Sequence, residues 1–122
     1  MEFKTRKIIK NGDLNGGNAL FGGQALAWID EEAAIYAICQ LKIGGNLVTK
    51  AMSKIDFKAP ARLGDIIELG CEVVRFGNTS ITVRCSMRNK TTQNEIITVD
   101  EITFVHLNEQ GIPTPHGITN EQ

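Results

Sequence analysis

The sequence predicts an α+β domain: one long helix packed against an antiparallel sheet of about five strands. Three observations carry this. Apolar residues recur at helical spacing in one place only, LFGGQALAWIDEEAAIYAICQ, residues 20–40. From Leu47 onward the period changes to two. The period-two segments are joined by short turns, and parallel strands would need long crossovers instead.

Each element follows from its own residues. Phe3 to Ile9 alternates and reads as a first strand. NGDLNGGN, residues 11–18, is a run of turn formers and reads as a loop. The helix is expected from Gly22 to about Lys42, with Gly44-Gly45 as its stop. Leu47–Phe57 is the next strand, and Lys58–Asp65, with Pro60 and Gly64, breaks it. Ile66–Arg75 follows, then a hairpin turn at Phe76–Thr79 centred on Gly77-Asn78. Ile81, Val83, Cys85 and Met87 alternate with Thr82, Arg84, Ser86 and Arg88, the pattern of a strand with one buried and one wet face. Asn89–Asn94 turns into a last strand, Glu95–Leu107. All 122 residues read as one domain, with a flexible polar tail from about residue 110. The helix is apolar on several sides, so the sheet is expected to curl around it and a partner chain to cover the remainder.

Composition removes several function classes. The net charge is −1 and no run of five basic residues occurs, so neither nucleic acid nor an anionic membrane is an expected partner. Aromatic residues make up 6%, too few for a base-stacking surface. The N-terminal residues lack the apolar core of a signal peptide, and no apolar run approaches the ~20 residues of a membrane span. A cytoplasmic protein is the expectation. Cys39, Cys71 and Cys85 form no CxxC pair and read as buried core thiols. His106 and His116 belong to no ligand motif, so no metal site is expected and neither is given a role. Trp28 and Tyr36 read as packing residues.

No G-x-S-x-G elbow, dinucleotide fingerprint or Walker A sequence is present. What stands out is Asp30. On a helical wheel it shares a face with Leu26, Ala33, Ala34, Ala37 and Leu41, and no other charge lies there. A desolvated carboxylate there would be a stronger base, able to activate water or to attack an acyl carbon itself. Phe21-Gly22-Gly23 opens the same helix. A helix N-terminus has free N–H groups and partial positive charge, and glycines let a ligand approach them, which suits a carbonyl oxygen gaining charge.

The pattern N-x-x-x-x-x-F-G-G-x-x-x-x-x-x-D, Asn15 to Asp30, resembles the hotdog-fold acyl-CoA thioesterases, closest to the bacterial short-chain and cytosolic acyl-CoA hydrolases. The likeness continues through Val48-Thr49, Phe57-Lys58-Ala59-Pro60 with Gly64-Asp65, Phe76-Gly77-Asn78-Thr79-Ser80, and Phe104 to Pro115. Asn18 stands where such proteins often carry Gly, with Gly17 one place earlier. The resemblance implies a hotdog fold, with two domains pairing edge to edge and active sites at the dimer interface. It implies that Asp30 is the catalytic carboxylate and that Asn15, from the facing subunit, positions the water or the thioester. Gly22 and Gly23 would shape the oxyanion site, with an N–H near Gly23 or Gln24 as donor. Gly77, Asn78, Thr79 and Ser80 would lie along the CoA arm. Lys58 and Arg62, or Arg84 and Arg88 on a wet sheet face, are candidates for the CoA phosphates.

The implied reaction is acyl-CoA plus water giving a carboxylic acid and CoA, with no cofactor and no metal, in a homodimer assembling to a tetramer or hexamer. General-base and nucleophilic roles for Asp30 stay open, as do chain length and CoA against acyl-carrier protein. A hydroxyacyl dehydratase would need a histidine near the helix, and none precedes His106. A non-catalytic acyl-CoA-binding module is the main alternative. It has no need of a buried carboxylate.

Overall fold

The computed structural model describes residues 1–43 and 46–118. Its elements are β1 (Glu2–Ile8), a 3-10 turn (Asn11–Asp13), α1 (Gly22–Leu41), β2 (Leu47–Phe57), β3 (Ile66–Phe76), β4 (Ser80–Asn89) and β5 (Glu95–His106). The strands form one antiparallel sheet in the order β1-β3-β4-β5-β2. β3, β4 and β5 form the central meander, and β1 and β2 occupy the two edges. α1 packs on one face of the curved sheet, as the sequence predicts.

The side chains of α1 divide into four lines spaced four residues apart. Ala25, Ile29, Ala33, Ala37 and Leu41 are buried against the sheet. Three alanines in that line let the helix axis approach closely. Gln24, Trp28, Glu32 and Tyr36 are half-buried on the β1 side, where Thr5 Oγ1 donates to Glu32 Oε1 at 2.8 Å and Lys7 Nζ lies 5.4 Å from the centre of the Trp28 ring. Leu26, Asp30, Ala34 and Ile38 are half-buried on the other side, towards β2. Ala27, Glu31, Ile35 and Cys39 are exposed. Asp30 therefore sits beside the buried line and not on it. A helical wheel groups it with Ala33, Ala37 and Leu41 because apolar residues on several sides leave the centre of the buried arc undefined. The same arrangement corrects the reading of Cys39, which points away from the sheet.

The helix ends earlier than the glycines suggested. Lys42 takes a left-handed conformation (φ 56°) and its N–H donates to Ile38 O at 3.0 Å. Gly44-Gly45 lies outside the described residues.

The core lies between α1 and the concave face, with Ile29, Ile67, Ile81, Val83, Ile102 and Phe104 at 1% exposure or less. Cys71 and Cys85 are buried, as expected, and they face each other: the β3–β4 register opposes them with Cα atoms 4.4 Å apart.

The far face of the sheet carries a buried charge cluster. Glu68 accepts from Arg88 Nε at 2.7 Å and from Arg6 Nε at 3.3 Å. The Arg88 guanidinium in turn lies 3.6 Å from the Phe3 ring centre. The Arg88 hydrogen bond, with help from Arg6, holds the Glu68 carboxyl below the usual carboxylate range against the opposing effect of burial. A carboxyl whose folded-state value is lowered binds protons less tightly than in the unfolded chain. Its stabilisation is complete above the ordinary value of 4.5 and disappears as pH falls through the lowered one. Glu68→Gln is therefore expected to be clearly destabilised at pH 7, with the gap to the parent closing as both are acidified. Urea midpoints across the acid range measure this, and a gap independent of pH would count against it.

Candidate functional site

Asp30 is positioned by α1 and steadied by β2. Thr49 Oγ1 donates to Asp30 Oδ1 at 2.8 Å. Thr49 lies near the start of β2 opposite Phe104 of β5, so its side chain faces the helix side of the sheet. The second carboxylate oxygen of Asp30 has no hydrogen-bond partner among the described residues. In the sequence Thr49 stands only within the family pattern Val48-Thr49, with no role of its own. The register between β2 and β5 is what brings it to Asp30.

At the other end, α1 opens on an N-terminus without a side-chain cap. Phe21 is extended (ψ 128°) and accepts the Ala25 N–H at 3.0 Å. By helix geometry the N–H groups of Gly22, Gly23 and Gln24 have no partner one turn back. A Cβ on Gly22 would lie 3.2 Å from the Phe57 ring, and one on Gly23 only 2.8 Å from the Phe21 ring. Glycine thus lets two aromatic rings close on this helix end.

The loop before the helix is braced by Asn15. Its Oδ1 accepts from Gly17 N at 2.9 Å and Ala19 N at 3.2 Å, while its backbone N–H donates to Ala19 O. Asn18 adopts φ 62°, a left-handed conformation that asparagine tolerates better than most residues. This accounts for Asn where glycine is common. These bonds tie the Asn15 side-chain carbonyl to its own loop.

The residues expected along CoA fall into two groups. Gly77 to Ser80 form the β3–β4 turn, closed by Gly77 N donating to Ser80 O at 2.8 Å. Thr79 O accepts from His106 N, and His106 is opposite Leu47, so this turn is at the start of β2 with Thr49 and Asp30. Lys58 follows the other end of β2 and pairs with Glu95 at 3.7 Å. Arg62 bridges to Ala19 and its N–H donates to Asp65. Lys58 and Arg62 therefore accompany Phe57, Gly22 and Gly23. Ten residues of strand separate the two ends. Within one chain the structure does not bring Lys58 and Arg62 to the Gly77–Ser80 turn, because spacing along a sequence does not reveal strand register. Arg84 pairs with Glu72 at 3.2 Å, and Arg88 is committed to Glu68 and Phe3 on the far face of the sheet. Among the described residues no group of three or more His, Cys, Asp or Glu could hold a metal, and no helix is long and apolar enough to cross a membrane.

The family model of the thioesterase superfamily matches residues 12–96, which run from the loop carrying Asn15 to the start of β5. The chain belongs to the thioesterase superfamily. Among the superfamily's members it is similar to the uncharacterized acyl-CoA thioester hydrolase YkhA of Bacillus subtilis, with 30% identity over 120 residues covering 92% of this chain and 69% of that protein. It spans from 56% to 73% of the length of the curated relatives it matches. Cj0915, a hexameric hotdog-fold thioesterase of Campylobacter jejuni, superimposes with a TM-score of 0.77 at 30% identity, over 94% of this chain and 90% of that one. An acyl-CoA hydrolase of Staphylococcus aureus, solved with butyryl-CoA, CoA and CoA disulfide, gives a TM-score of 0.77 at 28% identity, over 91% and 66%. The arrangement of helix and sheet in this thioesterase-superfamily chain is the hotdog fold.

Proposed function

We propose that the protein is an acyl-CoA thioester hydrolase whose active site is completed by a second copy of the chain. The observation that carries this reading is the carboxylate of Asp30, held by Thr49 beside a free sheet edge in a chain similar to acyl-CoA hydrolases. Gly23 lies seven residues before Asp30, about 10 Å along the helix axis. One thioester carbonyl cannot meet both groups of the same helix. β2 offers an answer. It is an edge strand of 11 residues, with Val48, Ile55 and Phe57 exposed by 46%, 38% and 56%. Antiparallel pairing of β2 with its copy about a two-fold axis would set the start of one strand beside the end of the other. Asp30, Thr49 and the Gly77–Ser80 turn of one chain would then face Asn15, Gly22, Gly23, Lys58 and Arg62 of the second.

In this arrangement the thioester oxygen points at the N–H groups of Gly22 to Gln24 in the second copy. Asp30 takes a proton from water as it attacks the acyl carbon, or attacks that carbon itself and is regenerated by water. The C–S bond breaks, CoA leaves as the thiol, and the acid is released. Asn15 of the second copy orients the water or the thioester, and Lys58 and Arg62 meet the CoA phosphates. Water and the thioester are the only reactants, so no cofactor enters. The reading includes a cytoplasmic homodimer, and the hexameric relative supports a trimer of such dimers.

The test is thiol release from acyl-CoAs running from acetyl to palmitoyl. Hydrolysis of at least one chain length is expected. Binding without hydrolysis across the panel would replace this reading with a non-catalytic acyl-CoA module.

A further inference from the structure

His116 had no expected role, and the stretch from about residue 110 reads as a flexible tail. As far as Ile118 the structure holds that stretch against the sheet. Asn108 Oδ1 accepts from Gln110 N at 2.9 Å and Ile112 N at 3.0 Å, and Gly111 takes the left-handed turn position (φ 79°). The chain then returns along the end of β5. Leu107 bridges to Pro113, Thr114 N donates to His106 O, and His106 Nδ1 is 2.9 Å from Thr114 O. This delivers His116, at 9% exposure, onto the Gly77–Ser80 turn.

The imidazole grips that turn. Its Nε2 is 2.7 Å from Ser80 O, the carbonyl that also closes the turn by accepting from Gly77 N. The His116 N–H donates to Asn78 O at 3.3 Å. The ring sits edge-on to Phe76, with centroids 6.2 Å apart. Ile118 N donates to Nδ1 at 3.1 Å. A carbonyl can only accept and a backbone N–H can only donate, so the bonds select one neutral tautomer, protonated on Nε2. Both ring nitrogens are occupied in holding peptide groups, one on the turn and one on the returning chain.

We propose that His116 is a positioning residue for the CoA arm: it fixes the shape of the Gly77–Ser80 turn along which the nucleotide half of the substrate lies. The proposal rests on the hydrolase reading above and on CoA lying along this turn, opposite Lys58 and Arg62 of the second copy. His116 touches no reacting atom. Loss of its imidazole leaves Ser80 O with one donor in place of two and Ile118 N without its acceptor, so the turn samples other shapes before substrate binds. The ordering then has to be supplied by CoA itself, and affinity falls without change at the thioester.

The experiment compares His116→Ala and His116→Gln with the parent on two substrates. One is an acyl-CoA that the parent hydrolyses. The other is the matching acyl N-acetylcysteamine thioester, which has the same thioester and no nucleotide. The Gln side-chain amide can restore a donor near the Nε2 position. For His116→Ala, KM for acyl-CoA is expected to rise about tenfold, the scale of one lost hydrogen bond, with kcat within about twofold. kcat/KM for the short thioester should stay within about twofold, and His116→Gln should recover most of the acyl-CoA KM. An unchanged KM in His116→Ala, or equal losses on both substrates in both variants, overturns the proposal while leaving the hydrolase reading intact. A parent that hydrolyses neither substrate overturns both.

Discussion

Asp30→Asn is expected to lower kcat for acyl-CoA hydrolysis by about 10³-fold, within the 10²–10⁴ range that a positioned general base supplies. The substitution is nearly isosteric. Asn keeps an Oδ1 that accepts from Thr49 Oγ1, so the 2.8 Å bond to β2 and the half-buried helix line are retained. It removes the basic, nucleophilic oxygen on which both candidate routes depend. KM should change only a few-fold, and the thermal midpoint by no more than a few degrees. Steady-state kinetics beside a melting curve settle it. A folded Asp30→Asn protein with undiminished kcat would remove Asp30 from the mechanism.

Phe104→Ala carries the largest expected cost in stability, about 3–5 kcal/mol. Phe104 is 1% exposed and lies between Ile81 of β4 and Thr49 of β2 in the inner row of the sheet. Its neighbours belong to strands fixed by ladder hydrogen bonds, so they cannot move in to fill the space, and the cavity term adds to the lost transfer energy. The residue also backs the start of β2. Loosening it frees Thr49, and with it the orientation of Asp30, so activity should fall before the protein unfolds. Denaturant titration measures the first effect and kinetics well below the midpoint the second. A loss under 1 kcal/mol would mean that this end of the sheet repacks freely.

Much of this architecture is legible one residue at a time. β2 is bounded in the sequence as it is in the structure, Leu47–Phe57, because its period and its flanking breaks are both sharp. Asp30 is conspicuous because a lone charge among Leu26, Ala33 and Ala34 is rare. What eludes a linear reading is what depends on register. The opposition of Cys71 and Cys85, the reach of Thr49 to Asp30, and the segregation of Lys58 and Arg62 from the Gly77–Ser80 turn all require knowing which residues face each other across strands. The role of His116 eludes it for another reason. A Pro-rich polar stretch looks unstructured until the carbonyls of Asn78 and Ser80 are seen to need donors.

The placement of Asp30 and the Gly22-Gly23 helix opening at opposite ends of β2 has a genetic counterpart under the proposed dimer. Each site would draw its carboxylate from one chain and its loop from the other. A chain lacking the Asp30 carboxylate and a chain lacking a competent Asn15 loop would each be dead as homodimers. Paired together they hold one ruined site, which collects both lesions, and one intact site, which collects neither. Two null alleles in one cell would then complement each other. A single Asp30-deficient allele expressed beside the normal one would leave mixed dimers at half strength.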